Sequence, residues 1–200
     1  MLAITIAAAG VSARCGTPLQ PSQREEIVDP HAYAIYSLLV PRAWAAHYPT
    51  AKGGVVLQRE TTVALICNWK VPGDPEWTAA GEDFRRQNTR TRVIRRLAPG
   101  GMPSVGWPSE GVPYRLMAQS EIEADDVRWR LQHPGRGKNF SFAPDFVAVS
   151  AIGFNVTRTK AVVYVRVRDQ GYVSLIERRG EVWDQVWRGA SPRGGCHWGT

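Results

Sequence analysis

Hydrophobic and polar residues alternate along the C-terminal part of the chain, between Phe146 and Trp187. Four runs in this region either alternate with a period of two or are rich in β-branched residues, and short turns separate the later ones. We place the strands at 146–152, 161–167, 172–177 and 182–187. Because short turns join antiparallel neighbours, the pattern predicts a four-stranded antiparallel meander with one buried face.

A helical pattern comes before this meander. Asp29-Pro30 predicts a helix start, because the carboxylate serves as an N-cap and proline suits the first helical position. The apolar run that follows is expected to stop at Pro41. Behind it, the β-branched residues of 55–66 predict a strand, bent near Glu60.

Two more helices are predicted before the meander. Asp74-Pro75 opens one of them with the same pair of residues, and apolar side chains then recur at helical spacing. Ser120 and Glu123 form a capping-box pattern that predicts the start of the other. Because the helices precede the meander and do not alternate regularly with strands, the sequence predicts an α+β fold, with two or three helices packed on one side of the sheet.

The N-terminal residues are typical of an export signal. Residues 1–13 are apolar, too short to span a bilayer, and end with small residues at the −3 and −1 positions of a cleavage site. We expect export to the periplasm or the cell exterior, an exposed leader at 14–28 and a single domain at 29–200. Cys15 offers a lipid anchor as an alternative, although Arg14 differs from the small residue usual before such a cysteine.

The three cysteines show neither a CxxC pair nor the spacing of zinc ligands, so we expect no metal site. No glycine-rich phosphate-binding motif occurs, and we expect no cofactor. In an exported protein Cys67 and Cys196 are our preferred disulfide pair, and Cys15 is the alternative partner for either. The sequence does not fix this connectivity.

The net charge of +7 and the isoelectric point near 9.7 favour anionic partners without choosing among them. Six arginines fall within twelve residues: Arg85, Arg86, Arg90, Arg92, Arg95 and Arg96. Together with Trp107 as a stacking residue, they are candidates for a polyanion-binding surface. The alternative is that they complement a helix end and face water. Export argues against nucleic acid as the partner.

Candidates for catalysis are few. No GxSxG, SxxK or local cysteine signature of a nucleophile is present. The carboxylates Glu60, Glu82 and Asp83 are weak candidates for general acid–base chemistry, which a small hydrolase would need in a facing pair.

Several motifs occur in a fixed order: YAIYSLL (33–39), VLQRETT (56–62), EDFRRQN (82–88), VPYRLM (112–117), VSAIGFN (149–155), TKAVVYV (159–165) and GYVSLIERRGEVW (171–183). Together they resemble an uncharacterised domain of bacterial exported proteins, over most of residues 30–187. The resemblance implies an exported or lipoprotein-like setting. It implies no activity, cofactor or catalytic residue.

The sequence therefore predicts a non-catalytic exported domain that binds a macromolecular partner or a component of the cell envelope. The alternatives are a small carboxylate-dependent hydrolase and a polyanion-binding protein that uses residues 85–96. No pattern in the sequence indicates an oligomeric state.

Overall fold

A computed structural model describes residues 25–27, 29–48, 55–63, 73–95, 114–134, 145–167 and 170–190. The helices are α1 (Pro30–His47), α2 (Pro75–Gln87) and α3 (Gln119–Gln132). The strands are β1 (Val55–Gln58), β2 (Tyr114–Met117), β3 (Val147–Val149), β4 (Gly153–Phe154), β5 (Lys160–Val167), β6 (Gln170–Arg179) and β7 (Val182–Ala190).

All seven strands belong to one mixed sheet, in the order β2-β1-β3-β5-β6-β7, with β4 paired to β5 beside this path. β1 runs parallel to β2 and to β3, whereas the pairs from β3 to β7 are antiparallel. The predicted α+β class and its C-terminal antiparallel meander are confirmed. β1 and β2 extend that meander into a larger sheet.

The two faces of β5 serve different helices, because successive side chains of a strand point to opposite sides. Ala161 and Val163 pack in the large core with α1, whereas Val162 packs with α2. Ala148 of β3 lies on the same face as Val162 by register and packs with Ile122 of α3. Two helices, α2 and α3, therefore share one side of the sheet, and α1 covers the other.

Helix α1 begins as the sequence predicts: the Asp29 carboxylate accepts a hydrogen bond of 3.0 Å from the backbone N–H of His31. The predicted stop at Pro41 is wrong, because the helix continues through Pro41 to His47. Pro41 removes one backbone hydrogen bond. Burial of Val40 and Trp44 on either side of it offsets that loss.

Helix α2 also begins at its predicted cap, where Asp74 accepts a hydrogen bond of 2.7 Å from the N–H of Glu76. It lies directly on β4. A Cβ added at Gly153 would overlap the backbone nitrogen of Phe84, so only glycine permits this approach.

Two expected boundaries differ in the structure. β1 ends at Gln58, and Glu60 forms an isolated antiparallel bridge with Val93; the rest of the predicted strand, beyond residue 63, lies outside the described residues. The predicted capping box of α3 is wrong. The helix begins earlier, at Gln119, and the Glu121 carboxylate accepts a bond of 2.6 Å from the N–H of Ala118.

Residues 25–27, which the sequence places in the exposed leader, contact the domain. Glu26 forms a parallel bridge with Val93, and Ile27 is buried in the core with α1. Among the helices of the described ranges, none has both the length and the apolar character needed to cross a membrane.

Candidate functional site

A cleft of about 570 Å³ opens between the start of α1, one face of α2 and the turn after β4. Its volume lies within the range of roughly 300–1,000 Å³ typical of small-molecule sites. We call it the charged cleft. Its lining consists of Glu25, Ile27, Asp29, Ala32, Tyr36, Ala79, Glu82, Asp83, Arg86, Gln87, Arg92, Ala151, Ile152, Phe154, Asn155, Val156 and Arg158.

Tyr36 lies on the α1 side of the charged cleft and is fully buried. Its hydroxyl donates a hydrogen bond of 2.9 Å to the carbonyl of Ser150. Burial raises the pKa of Tyr36 far above the ordinary tyrosine value, because the ionised phenolate would lose its hydration. The side chain therefore stays neutral and fixes α1 to the sheet.

Asp83 joins α2 to β4. Its Oδ1 accepts hydrogen bonds from Arg86 at 2.5 Å and from Gln87 at 3.1 Å, and its Oδ2 accepts one of 2.8 Å from the backbone N–H of Phe154. Both carboxylate oxygens of this candidate acid–base residue are thus engaged, Oδ1 within α2 and Oδ2 across to β4.

Asn88 completes this attachment at the end of α2. Its buried side-chain amide donates to the carbonyls of Phe84 and Ala151, at 2.8 and 3.0 Å. The motif EDFRRQN therefore binds the backbone of the motif VSAIGFN. The wall of the charged cleft is therefore built by residues of these two motifs, which both belong to the family resemblance.

The turn after β4 is held by Asn155. Its Oδ1 accepts hydrogen bonds from the N–H groups of Thr159 at 2.9 Å and of Lys160 at 2.8 Å, and its amide donates to Glu76 near the start of α2. The side chain of Asn155 is buried, so these bonds are shielded from competing water. This network ties the turn to α2.

Arg158 lies at the tip of the turn, with a left-handed backbone at φ 55°. Its guanidinium forms an ion pair of 2.5 Å with Asp29, the N-cap of α1, and lies 5.3 Å from the ring centre of Phe154. A half-exposed cation therefore connects the turn to α1 at the rim of the cleft.

The three candidate carboxylates occupy two places. Glu82 and Asp83 line the charged cleft, and Glu82 is exposed. Glu60 is buried at the start of α3, where it accepts a hydrogen bond of 2.9 Å from the N–H of Gln119 and contacts Arg59 at 3.5 Å. A negative charge at this position stabilises a helix N-terminus.

The arginines of residues 85–96 face several partners. Arg86 pairs with Asp83, and Arg85 is exposed on α2. Arg90, Arg92 and Arg95 pair with Glu25 and Glu26. Four members of the predicted polyanion surface therefore have carboxylate partners among the described residues of the same chain. Arg96, Trp107 and the cysteines Cys15, Cys67 and Cys196 lie outside the described residues.

Sequence reasoning missed Asn155 and Arg158 as residues of the cleft. A signal was present, because Asn155 with Thr157 and Thr159 is a composition typical of a side-chain-stabilised turn. The ion pair of Arg158 with Asp29 joins residues far apart in sequence, and no local pattern indicates it.

Comparisons with protein-family models, with curated proteins and with solved structures gave no match. The resemblance to an exported bacterial domain stays a prediction. We therefore infer function from the geometry of the charged cleft and of the residues around it.

Proposed function

We propose that the protein is a non-catalytic exported domain that binds a component of the cell envelope in the charged cleft. The observation that carries the proposal is the construction of the cleft. Three elements meet there: Asp83 and Asn88 attach α2 to residues 151–154, Asn155 holds the turn after β4, and the Tyr36 hydroxyl attaches α1 to the sheet. A wall fixed before the ligand arrives lowers the entropic cost of binding.

The lining of the cleft indicates the chemistry of a ligand. The exposed Val156 and the half-buried Phe154 supply apolar surface. Glu82 supplies an exposed carboxylate, and Arg158 supplies a half-exposed guanidinium. Such a lining suits a polymer that carries amino groups, carboxylates and sugar or peptide surface together. Peptidoglycan has this composition, and we propose it as the ligand.

Binding is a better account of the cleft than hydrolysis. Acid–base catalysis needs a carboxylate that is free to exchange a proton with a substrate. Asp83 accepts three hydrogen bonds, and Glu60 is not among the residues that line the cleft. Of the other carboxylates that line the cleft, Glu25 pairs with Arg90 and Arg92, and Asp29 pairs with Arg158. Glu82 is the exposed candidate that remains, whereas a glycosidase of the usual kind needs two facing carboxyl groups.

Sedimentation with purified peptidoglycan tests the proposal. Ala79 lines the cleft, and Ala79→Trp should fill it and weaken co-sedimentation about tenfold or more, since the bulky ring excludes the ligand. Thr78→Trp is the matched control, because Thr78 is exposed on the same helix and does not line the cleft. This variant should bind like the wild type.

Equal binding by both tryptophan variants would show that the ligand lies elsewhere. The supernatant of the same experiment tests the hydrolase alternative. Release of soluble fragments by the wild type, and its loss in Glu82→Gln, would favour catalysis. We expect no such release.

A further inference from the structure

The segment of residues 25–27 lies along an edge of the domain that carries three arginines. We call residues 25–27 the acidic segment, since they include Glu25 and Glu26. The arginine edge is the stretch of Arg90, Arg92 and Arg95, with Val93 at its centre. On one side, the extended backbone around Val93 pairs with the chain after β1, through a bridge to Glu60. On its other side, the same backbone pairs with the acidic segment, through a bridge to Glu26.

The backbone contacts between the two are those of a short parallel strand pair. The N–H of Val93 donates to the carbonyl of Glu25, and the N–H of Ile27 donates to the carbonyl of Val93, both at 3.0 Å. Main-chain bonds of this type do not depend on side-chain identity, and they allow a peptide to add to an exposed edge.

The side chains add selectivity to this backbone pairing. Glu25 forms ion pairs with Arg90 at 2.5 Å and with Arg92 at 3.5 Å, and Glu26 pairs with Arg95. The third residue, Ile27, is only 6% exposed and packs in the core. The edge therefore accommodates two consecutive acidic residues followed by an apolar one.

We infer that the arginine edge is an acceptor site for an extended acidic peptide, and that the acidic segment is its occupant within the same chain. A partner with the pattern acidic–acidic–apolar would replace the segment strand for strand. The inference does not depend on ligand binding in the charged cleft, although Glu25 and Arg92 border both sites.

The ion pairs of the acidic segment fit an exchangeable occupant. Ile27, which is buried in the core and accepts a hydrogen bond of 2.9 Å from the Tyr33 hydroxyl, is the anchor that a competing peptide has to replace. Arg90 and Arg95 are 62% and 76% exposed, and exposed ion pairs of this kind are individually weak. The acidic segment competes because it is tethered, at an effective concentration on the order of millimolar. A free peptide should therefore bind the wild type weakly, and it should bind more tightly once the segment is repelled.

Fluorescence anisotropy of a labelled peptide with the sequence of residues 20–29, QPSQREEIVD, tests the inference on the full chain. In Glu25→Lys/Glu26→Lys the acidic segment is repelled by the arginine edge, and the peptide should bind about tenfold more tightly than to the wild type. A peptide with both glutamates replaced by glutamine should lose this gain.

Two further variants identify the site. Adding Arg90→Gln/Arg95→Gln to the lysine variant should abolish the gain, because these arginines pair with the acidic segment and do not line the charged cleft. Adding Arg85→Gln/Arg128→Gln instead removes two exposed positive charges, on α2 and α3. This change should leave the gain in peptide affinity intact. Ala79→Trp, which fills the cleft, should not affect peptide binding.

Two results would overturn the inference. One is equal peptide affinity for the wild type and the lysine variant. The other is a heparin fragment that binds through Arg90 and Arg95 while the peptide does not, which would make the edge a polyanion surface.

If the lysine variant fails to fold, amide hydrogen exchange of the wild type gives the same decision. Excess peptide should speed exchange of the Ile27 amide, because the peptide takes over the Val93 carbonyl to which this amide donates. The Val93 amide should stay protected, because a carbonyl of the peptide replaces that of Glu25. Unchanged exchange at Ile27 with saturating peptide would exclude displacement.

Discussion

Helices α2 and α3 lie on the same side of the sheet and have similar lengths, 13 and 14 residues, but they are attached differently. α2 buries four residues: Trp77, Ala80, Gly81 and Phe84. α3 buries Ile122, while Val127 and Leu131 are 56% and 76% exposed. α2 is packed along its length, whereas the buried contact of α3 is near its first turn.

The polar contacts show the same difference. In its second half, α2 is bonded to β4 through Asp83. At its C-terminal end, Asn88 bonds to Ala151, just before β4. The contacts of α3 with Glu60 and Glu121 are both at its first turn. Near the start of α2, Glu76 accepts a hydrogen bond from Asn155, so α2 is held at both ends. Such a helix can keep a binding wall in place, and this is the reason to locate ligand binding on α2.

The largest expected effect comes from Phe84→Ala. Phe84 is 2% exposed and packs against Val162 and Leu175, so its removal should cost about 3–5 kcal/mol of unfolding free energy. Leu131→Ala on α3 is the control and should change stability by less than about 0.5 kcal/mol. Urea denaturation measures both. Similar losses for the two variants would remove the distinction between the helices.

A smaller effect is expected from Glu60→Gln at the start of α3. The substitution keeps the size of the side chain and removes the negative charge beside the N–H of Gln119. We expect a loss of about 1 kcal/mol, because a buried charge–helix interaction is replaced by a neutral hydrogen bond. Amide exchange should show that the loss is concentrated in α3. Uniform loosening of α2 and α3 would contradict this.

Local sequence signals predicted the starts of α1 and α2, because the Asp-Pro pair acts on its own first turn. The start of α3 was predicted wrongly, because its N-cap, Ala118, has no capping side chain, and the local contact is made by Glu121 instead of Glu123. Glu60, which accepts from Gln119, is 59 residues away in sequence, and nothing near Ser120 indicates that contact. Alternation likewise predicted the meander but not the parallel pairing of β1 with β2 and β3, since parallel partners are distant along the chain.

The sequence did not predict the charged cleft itself, but only some of the side chains that line it. Glu82 and Asp83 were recognised as candidate side chains, but the sequence could not show that Asp83 would use both oxygens for structure. Arginines 90, 92 and 95 were predicted to bind polyanions or face water. Their pairing with Glu25 and Glu26 depends on a fold that brings residues 25–27 beside residues 90–95.

The smallest expected effect is a pH dependence at the start of α2. A hydrogen bond from Lys160 and another from the N–H of Glu76 lower the pKa of Asp74 below its ordinary value. The stabilisation is therefore fully present above the unfolded-state pKa of about 3.9 and is lost as the pH falls through the lower folded-state pKa.

Asp74→Asn keeps an N-cap but lacks the ionisable group, so its unfolding free energy should decrease less than that of the wild type below about pH 4. Urea titrations at a series of pH values compare the two. Parallel curves for wild type and variant would show that the Asp74–Lys160 pair contributes no pH dependence.

The most direct test of the proposed function is an NMR titration of the full chain with soluble peptidoglycan fragments. We expect the amide shifts to change at Ala79, Phe154 and Arg158, around the charged cleft, and to stay constant at Val127 and Leu131 of α3. Shift changes confined to α3, or none at saturating fragment concentrations, would contradict the assignment of binding to the cleft.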